Sequence, residues 1–170
     1  LDHFTIMPPD ETMKAMADNG IMIAQQPNFL YNLEGRYQAL LDDWRLAHNN
    51  SVATPAKKHG IFTAFSSDNL PIDPRVGLYV ATTRMGPSGT VHGAEEAVSR
   101  EEAIRMYTAN GAHLTWEEKE KGSLEVGKLA DMCVVEQDPL KVADSDLLTM
   151  NVDLTFVGGR QVFARDGARV

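Results

Sequence analysis

Cysteine is nearly absent from this 170-residue chain, and the single one, Cys133, excludes an internal disulfide and fits a reducing compartment such as the cytoplasm. Basic residues are also scarce: 16 lysines and arginines stand against 24 aspartates and glutamates, for a net charge of -8. They form no cluster, which excludes a nucleic-acid partner, because phosphate-backbone binding rests on grouped Lys and Arg. No apolar segment approaches the roughly 20 residues that cross a bilayer, and the opening residues carry neither the basic nor the apolar region of a signal peptide. No membrane partner is expected. The chain is also too short for a closed eightfold βα barrel, which takes roughly 250 residues. What remains is an ordinary globular composition, 43% hydrophobic and 24% charged, sufficient for one domain with a sizeable core.

The organising stretch is 61–78, IFTAFSSDNLPIDPRVGL. It opens as the unbroken apolar run Ile61-Phe62-Thr63-Ala64-Phe65 and turns polar at Ser66-Ser67-Asp68, the pattern of a strand buried on both faces that surfaces at its carboxyl end. In α/β folds, ligands and catalytic groups collect at such ends, where a rigid sheet holds side chains facing a crevice. Asp68 stands at that point. A plainer role is also open to it, as the cap of the helix that Pro74 begins.

Upstream, Pro8-Pro9-Asp10-Glu11 places prolines and acids in a first helical turn, and Asn19-Gly20 supplies the stop, so a helix is expected over 9–18. Ile21-Met22-Ile23-Ala24 reads as a second short strand surfacing into Gln25-Gln26-Pro27-Asn28. Residues 29–50 contain a helix-prone stretch in which Tyr37, Leu40, Leu41 and Trp44 share a face that would lie over the mouth of a site. Residues 51–59 read as a further short helix stopped by Gly60. Helix, Gly, buried strand and polar end thus occur twice, the signature of consecutive βα units.

After Pro74, residues 75–83 read as a helix and 85–94, rich in Gly, Ser and Pro, as a mobile loop. Ser99-Arg100-Glu101-Glu102 is a capping box opening a helix with Ala103, Ile104, Met106 and Tyr107 inward, ended by Asn110-Gly111. Beyond it, 122–127 and 131–135 read as short strands, and Gly158-Gly159 joins 152–157 to 160–163 as a tight hairpin. A small β module is expected to end the chain.

These runs carry a resemblance. FSSDNLPIDPRVGLYVATTR, SREEAIRMYTANGAHLTWEEKEKGSLEVGKLADMCVVEQDPL and VDLTFVGGRQVF closely resemble the C-terminal part of amidohydrolase-superfamily enzymes, in particular the amidohydrolase 3 subgroup that includes N-substituted formamide deformylase-like proteins. GSLEVGKLADMCVV and FVGGRQVF are specific in combination, and LDHFTIMPPDETMKAMADNGIMIAQQPNF is similar to the end of the family's sixth strand, the next helix and the seventh strand. The resemblance implies an α/β fold. Residues 1–115 would form the last βα units (strands 6 to 8) of a metal-dependent hydrolase TIM barrel, and 116–170 the return strands of its flanking β-sandwich.

The family holds one or two divalent metals at strand ends to activate water against an amide-like carbon. By resemblance, Asp68 is the aspartate ending the eighth strand, a metal contact and the general base and then acid, while His3 ends the sixth strand as a metal ligand or substrate contact. Gln26 and Asn28 at the seventh strand end, and Asn69 beside Asp68, are placed by position as contacts to a small-molecule substrate. The family's first-strand His-x-His is absent: the five histidines, His3, His48, His59, His92 and His113, never take that spacing. Ligands from the fourth and fifth strands also lack counterparts. A catalytic zinc usually needs three protein ligands, so this segment alone is expected to hold no metal tightly and to be inactive.

The remaining histidines have plainer readings: His48 and His59 at the surface or at helix ends, His113 structural, His92 in the loop 85–94. Cys133 reads as a small core residue and 116–121 as a solvated turn. The first residue is Leu1 and not Met, which reads as a segment cut from a longer chain, with exposed sheet edges expected to drive self-association. The competing expectation is a self-standing, non-catalytic α/β module that binds a partner or small ligand.

Overall fold

The computed structural model describes residues 1–68 and 72–167. The first helix, α1 (Asp10–Asp18), starts after Pro9 with Asp10 and Glu11 in its first turn, where their charge meets the positive helix end. It buries Met13 and Met16 against Phe4, Ile23 and Ile61. Gly20 leaves the helix at φ 65°, a left-handed conformation that glycine adopts without Cβ strain. The chain then enters β1 (Ile23–Gln25), which pairs in parallel with β2 (Thr63–Phe65) in the register Ile23 to Thr63 and Gln25 to Phe65. Ile21 is exposed and Met22 precedes the ladder, so the strand starts two residues later than its apolar run suggests. Residues 1–3 run parallel along the free side of β1: Asp2 bridges Ala24, and the Ala24 N–H donates to the Leu1 carbonyl at 2.9 Å. Every residue of β2 is buried, as a parallel strand covered on both faces requires.

Between the two strands lie α2 (Asn28–Asn32), α3 (Glu34–Leu40) and α4 (Asp43–Ala47). The single helical face expected over 29–50 does not form. Leu41 is extended (φ -107°, ψ 145°) and Asp42 accepts from the Arg45 N–H, so a new N-cap interrupts the periodicity and leaves Leu40 70% and Trp44 53% exposed. The helix expected over 51–59 is one wide π turn, Thr54–Lys58, closed by His59 N–H to the Thr54 carbonyl. Pro55 has no amide to extend it.

After β2, Asp73 caps α5 (Pro74–Thr83) by accepting from the Arg75 N–H, with Pro74 in the first turn. The capping box forms as expected and opens α6 (Arg100–Tyr107), whose Ala103 and Met106 are buried. The Asn110-Gly111 stop fails: the chain kinks at Thr108 (φ -114°, ψ -88°), and α7 (Ala109–Leu114) runs straight through both residues. The reason is tertiary, since Asn110 Nδ2 donates to the Thr63 carbonyl at 2.8 Å and is held on the helix.

The last sheet is antiparallel, in the order β3 (Met132–Val135), β4 (Val152–Val157), β5 (Arg160–Ala164). Gly158 and Gly159 take φ 57° and 75°, the two positive angles a type I′ hairpin demands. Residues 122–127 form turns and not the expected strand, because Gly122 (φ 94°) and Gly127 (φ 96°) both break an extended ladder. Cys133 is exposed and not a core residue, since β3 carries no covering layer among the described residues. Residues 138–150 fold back on the helices: Leu147 is buried with Leu30, Tyr79 and Val80, and Arg75 donates to the Met150 carbonyl at 2.9 Å. Among the described residues no helix is long and apolar enough to cross a membrane.

Candidate active site

The carboxyl ends of the three parallel segments meet at one rim, fastened by buried amides. Gln26 Nε2 donates to Asp2 Oδ1 at 2.7 Å and to Ser66 Oγ at 2.9 Å, tying the first segment to the end of β2. Gln25 Nε2 donates to the carbonyls of Phe4 and Ser51, and the Ser66 N–H donates to the Gln25 carbonyl. Asn28 Nδ2 donates to the Ser67 carbonyl at 3.0 Å. Gln25, Gln26 and Asn28 are all buried, and the bonds of Gln25 and Asn28 are made away from competing water.

On this rim stand His3 and Asp68. His3 Nε2 lies 3.8 Å from Asp68 Oδ2, with side chains 49% and 35% exposed, and the imidazole stacks on Phe29 at 6.0 Å. Both residues adopt left-handed backbone, φ 59° for His3 and 52° for Asp68, a conformation that costs an ordinary side chain energy and persists where the surroundings enforce it. Asp68 does not cap α5; Asp73 does. Gln26 and Asn28 sit at the rim as braces of its backbone, and Asn69 lies outside the described residues.

The pair suits a divalent cation as a partial ligand set. Two donors each about 2.1 Å from a tetrahedral ion stand about 3.4 Å apart, close to the spacing of His3 Nε2 and Asp68 Oδ2. Among the described residues, no group of three or more His, Cys, Asp or Glu that could hold a metal ion is assembled.

The other histidines lie elsewhere. His59 and Lys58 pair with Asp10, whose carboxyl the Lys58 hydrogen bond holds below its ordinary range. His48 Nδ1 donates to the Trp44 carbonyl and the imidazole stacks on the Trp44 ring, and His113 packs on Phe62. His92 is buried against Glu34, and the loop 85–94, expected to be mobile, is pinned there: Ser88 N–H and Oγ both donate to Glu34, and the His92 N–H donates to the Arg84 carbonyl. Asp2, which receives the Gln26 amide, and Phe29, which packs on the His3 ring, carry no signal in the sequence that marks them for this rim.

Compared with solved structures, the chain follows an uncharacterized metal-dependent hydrolase from Pyrococcus furiosus at TM-score 0.65 and 26% identity, covering 82% of this chain and 28% of that one. It follows an adenosine deaminase from Xanthomonas campestris, solved with bound zinc, at TM-score 0.62 and 18% identity, covering 99% of this chain and 37% of that one, a likeness of fold alone. The architecture is α/β, βα units followed by a three-stranded antiparallel sheet, and it matches about a third of the fold of each of those larger proteins. The chain belongs to the Amidohydrolase family, whose pattern matches residues 1–163. It is similar to N-substituted formamide deformylase from Arthrobacter pascens, 29% identical over 159 residues that make up 90% of this chain and 29% of that protein. The chain thus spans less than a third of the length of that relative.

Proposed function

We propose that this chain is the C-terminal portion of a metal-dependent amidohydrolase that cleaves an amide-like C–N bond in a small molecule, with residues 1–115 in its barrel and 116–170 in its flanking β module. One observation carries the reading: an imidazole and a carboxylate from different strand ends face each other across 3.8 Å at the mouth of a parallel sheet. A divalent cation, zinc by analogy with the relative solved with that ion, would lower the pKa of a water enough for it to react near neutrality. Asp68 would take a proton from the attacking water and return it to the departing nitrogen, a task its carboxylate, open to solvent, can perform in both directions. His3 offers Nε2 to the cation, its ring held by Phe29. The further donors that a complete site needs come from the rest of the full-length protein, so the 170 residues alone are inactive and bind metal weakly.

An N-substituted formamide is the substrate class to try first, because a relative over 90% of the chain is a deformylase of that class. In the full-length enzyme, Asp68→Asn lowers turnover of an N-alkylformamide by about 10²- to 10⁴-fold with little change in metal content, since an amide cannot take the proton. Wild-type turnover in that variant overturns the assignment.

A further inference from the structure

Three polar side chains stand in a row on one face of the parallel sheet. Asp2 bridges Ala24, and Ala24 pairs with Ala64, so these three residues point to the same side. Gln26 and Ser66 follow two residues further on and return to that side. Their hydrogen bonds agree with this placement, since Gln26 Nε2 donates to Asp2 Oδ1 on one neighbouring segment and to Ser66 Oγ on the other. The opposite side carries Ile23 and Phe65, which pack with Met13 and Met16 of α1 and with Ala103 and Met106 of α6. The row Asp2, Gln26, Ser66 therefore lies on the face turned away from the helices, which in the proposed barrel is its interior. It adjoins the reacting groups, because Asp2 precedes His3 and Ser66 stands two residues before Asp68.

The row is not saturated. Both hydrogens of the Gln26 amide are committed to Asp2 and Ser66, which fixes the amide's orientation, and its Oε1 has no partner although the residue is only 1% exposed. A buried acceptor left idle is unfavourable and calls for a donor. Asp2 Oδ1 takes the Gln26 amide and the His3 N–H. Among the described residues its Oδ2 takes no hydrogen bond, and the carboxylate pairs with no Lys, Arg or His. Ser66 Oγ accepts from Gln26 and keeps a second lone pair. Asp2 is exposed and Ser66 half-buried, so a ligand reaches the row at those two residues, beside the Gln26 oxygen. Every open position can accept, and one bears a full negative charge. Such a set repels anions and suits a protonated amine, all of whose N–H groups donate.

We propose that this row is a cation subsite and that Asp2 determines specificity, selecting amide-like substrates whose N-substituent ends in a protonated amine. The ammonium donates to Asp2 Oδ2 and Ser66 Oγ, and the negative end of the Gln26 amide dipole lies beside it. The proposal rests on the reading of the chain as part of an amidohydrolase and names the substrate class of that same site. A row that merely braces the rim needs only Asp2 Oδ1, an acceptor that asparagine also supplies.

The test uses the full-length protein and two formamides of matched length, N-aminobutylformamide and N-pentylformamide. Affinities are measured by calorimetry on metal-stripped protein, where no turnover intervenes, and kcat/KM on the metal-loaded enzyme. The wild type is expected to favour the aminobutyl compound about tenfold in both, the worth of one charge-assisted hydrogen bond. Asp2→Asn is expected to bring both ratios to within about twofold of unity. A ratio is read, so any weakening common to the two compounds cancels. Equal affinity for the two, binding of neither, or a preference that Asp2→Asn leaves unchanged overturns the proposal. If neither formamide is cleaved while the aminobutyl compound still binds preferentially through Asp2, the hydrolytic reading has failed and the subsite stands. If both are cleaved with equal kcat/KM, the hydrolytic reading stands and the subsite falls.

Discussion

His92 Nε2 lies 2.8 Å from Glu34 Oε1, and both side chains are only 5% exposed, which joins the start of α3 to the loop after α5 across 58 residues of sequence. Burial pushes the Glu34 carboxyl up, but the hydrogen bonds from His92 and Ser88 outweigh it and hold the group below the ordinary value of 4.5. A depressed carboxylate stabilises the fold above its unfolded value, and that contribution is lost as pH falls through the folded one. Glu34→Gln is therefore expected to lower stability by about 2 kcal/mol at neutral pH, the worth of charge-assisted hydrogen bonds. Thermal melts of both proteins between pH 7 and 3 check this: the gap narrows below about pH 4.5, and a pH-independent gap refutes the role of the charge.

Arg84 is fully buried at the end of α5 and donates to four backbone carbonyls, those of Ala47, Asn49, Asn50 and His92. Burial lowers its guanidinium to about 10, with Glu96 and Glu95 opposing, so it remains charged at neutral pH. Arg84→Met keeps the apolar stem and strands those carbonyls without donors. A loss of about 3 kcal/mol or more is expected, read as a lower urea midpoint.

His3 and Asp68 are assigned different tasks, and metal content separates them. In the full-length enzyme, His3→Ala removes a ligand and is expected to weaken zinc binding by more than about tenfold, whereas Asp68→Asn keeps a side-chain oxygen in place as a donor and retains most of the bound zinc. Elemental analysis after gel filtration measures both. Equal zinc in the His3→Ala protein would remove His3 from the ligand set.

The β3–β4–β5 sheet exposes Val134, Val162 and Phe163, and every residue of β5 is exposed. Exposed apolar side chains on both faces beside an open edge favour pairing with a second copy. The 170-residue polypeptide by itself is expected to elute as a dimer or larger species in size-exclusion chromatography with light scattering. A monomer that persists at high micromolar concentration contradicts this.

The residues that sequence alone decided are those whose reasons are local. The acid-rich start of α1, the stop at Gly20, the capping box at Ser99 and the Gly158-Gly159 hairpin depend on neighbours a few residues away, and each forms as read. The emergence of Asp68 from a buried strand was legible for the same reason, since hydrophobic run and polar end are adjacent in the chain. Three features were settled only by packing. Asn110-Gly111 stays helical because Asn110 reaches Thr63, Cys133 is exposed because nothing described covers β3, and His92 pairs with Glu34 across the fold. The approach of His3 to Asp68 belongs to both kinds: the resemblance suggested it, but the distance comes from two parallel segments flanking β1, laced by Asp2, Gln26 and Ser66. Local sequence sets which way each chain segment turns; which distant segments then share a rim is decided by the buried amides and apolar faces that tertiary contact alone brings together.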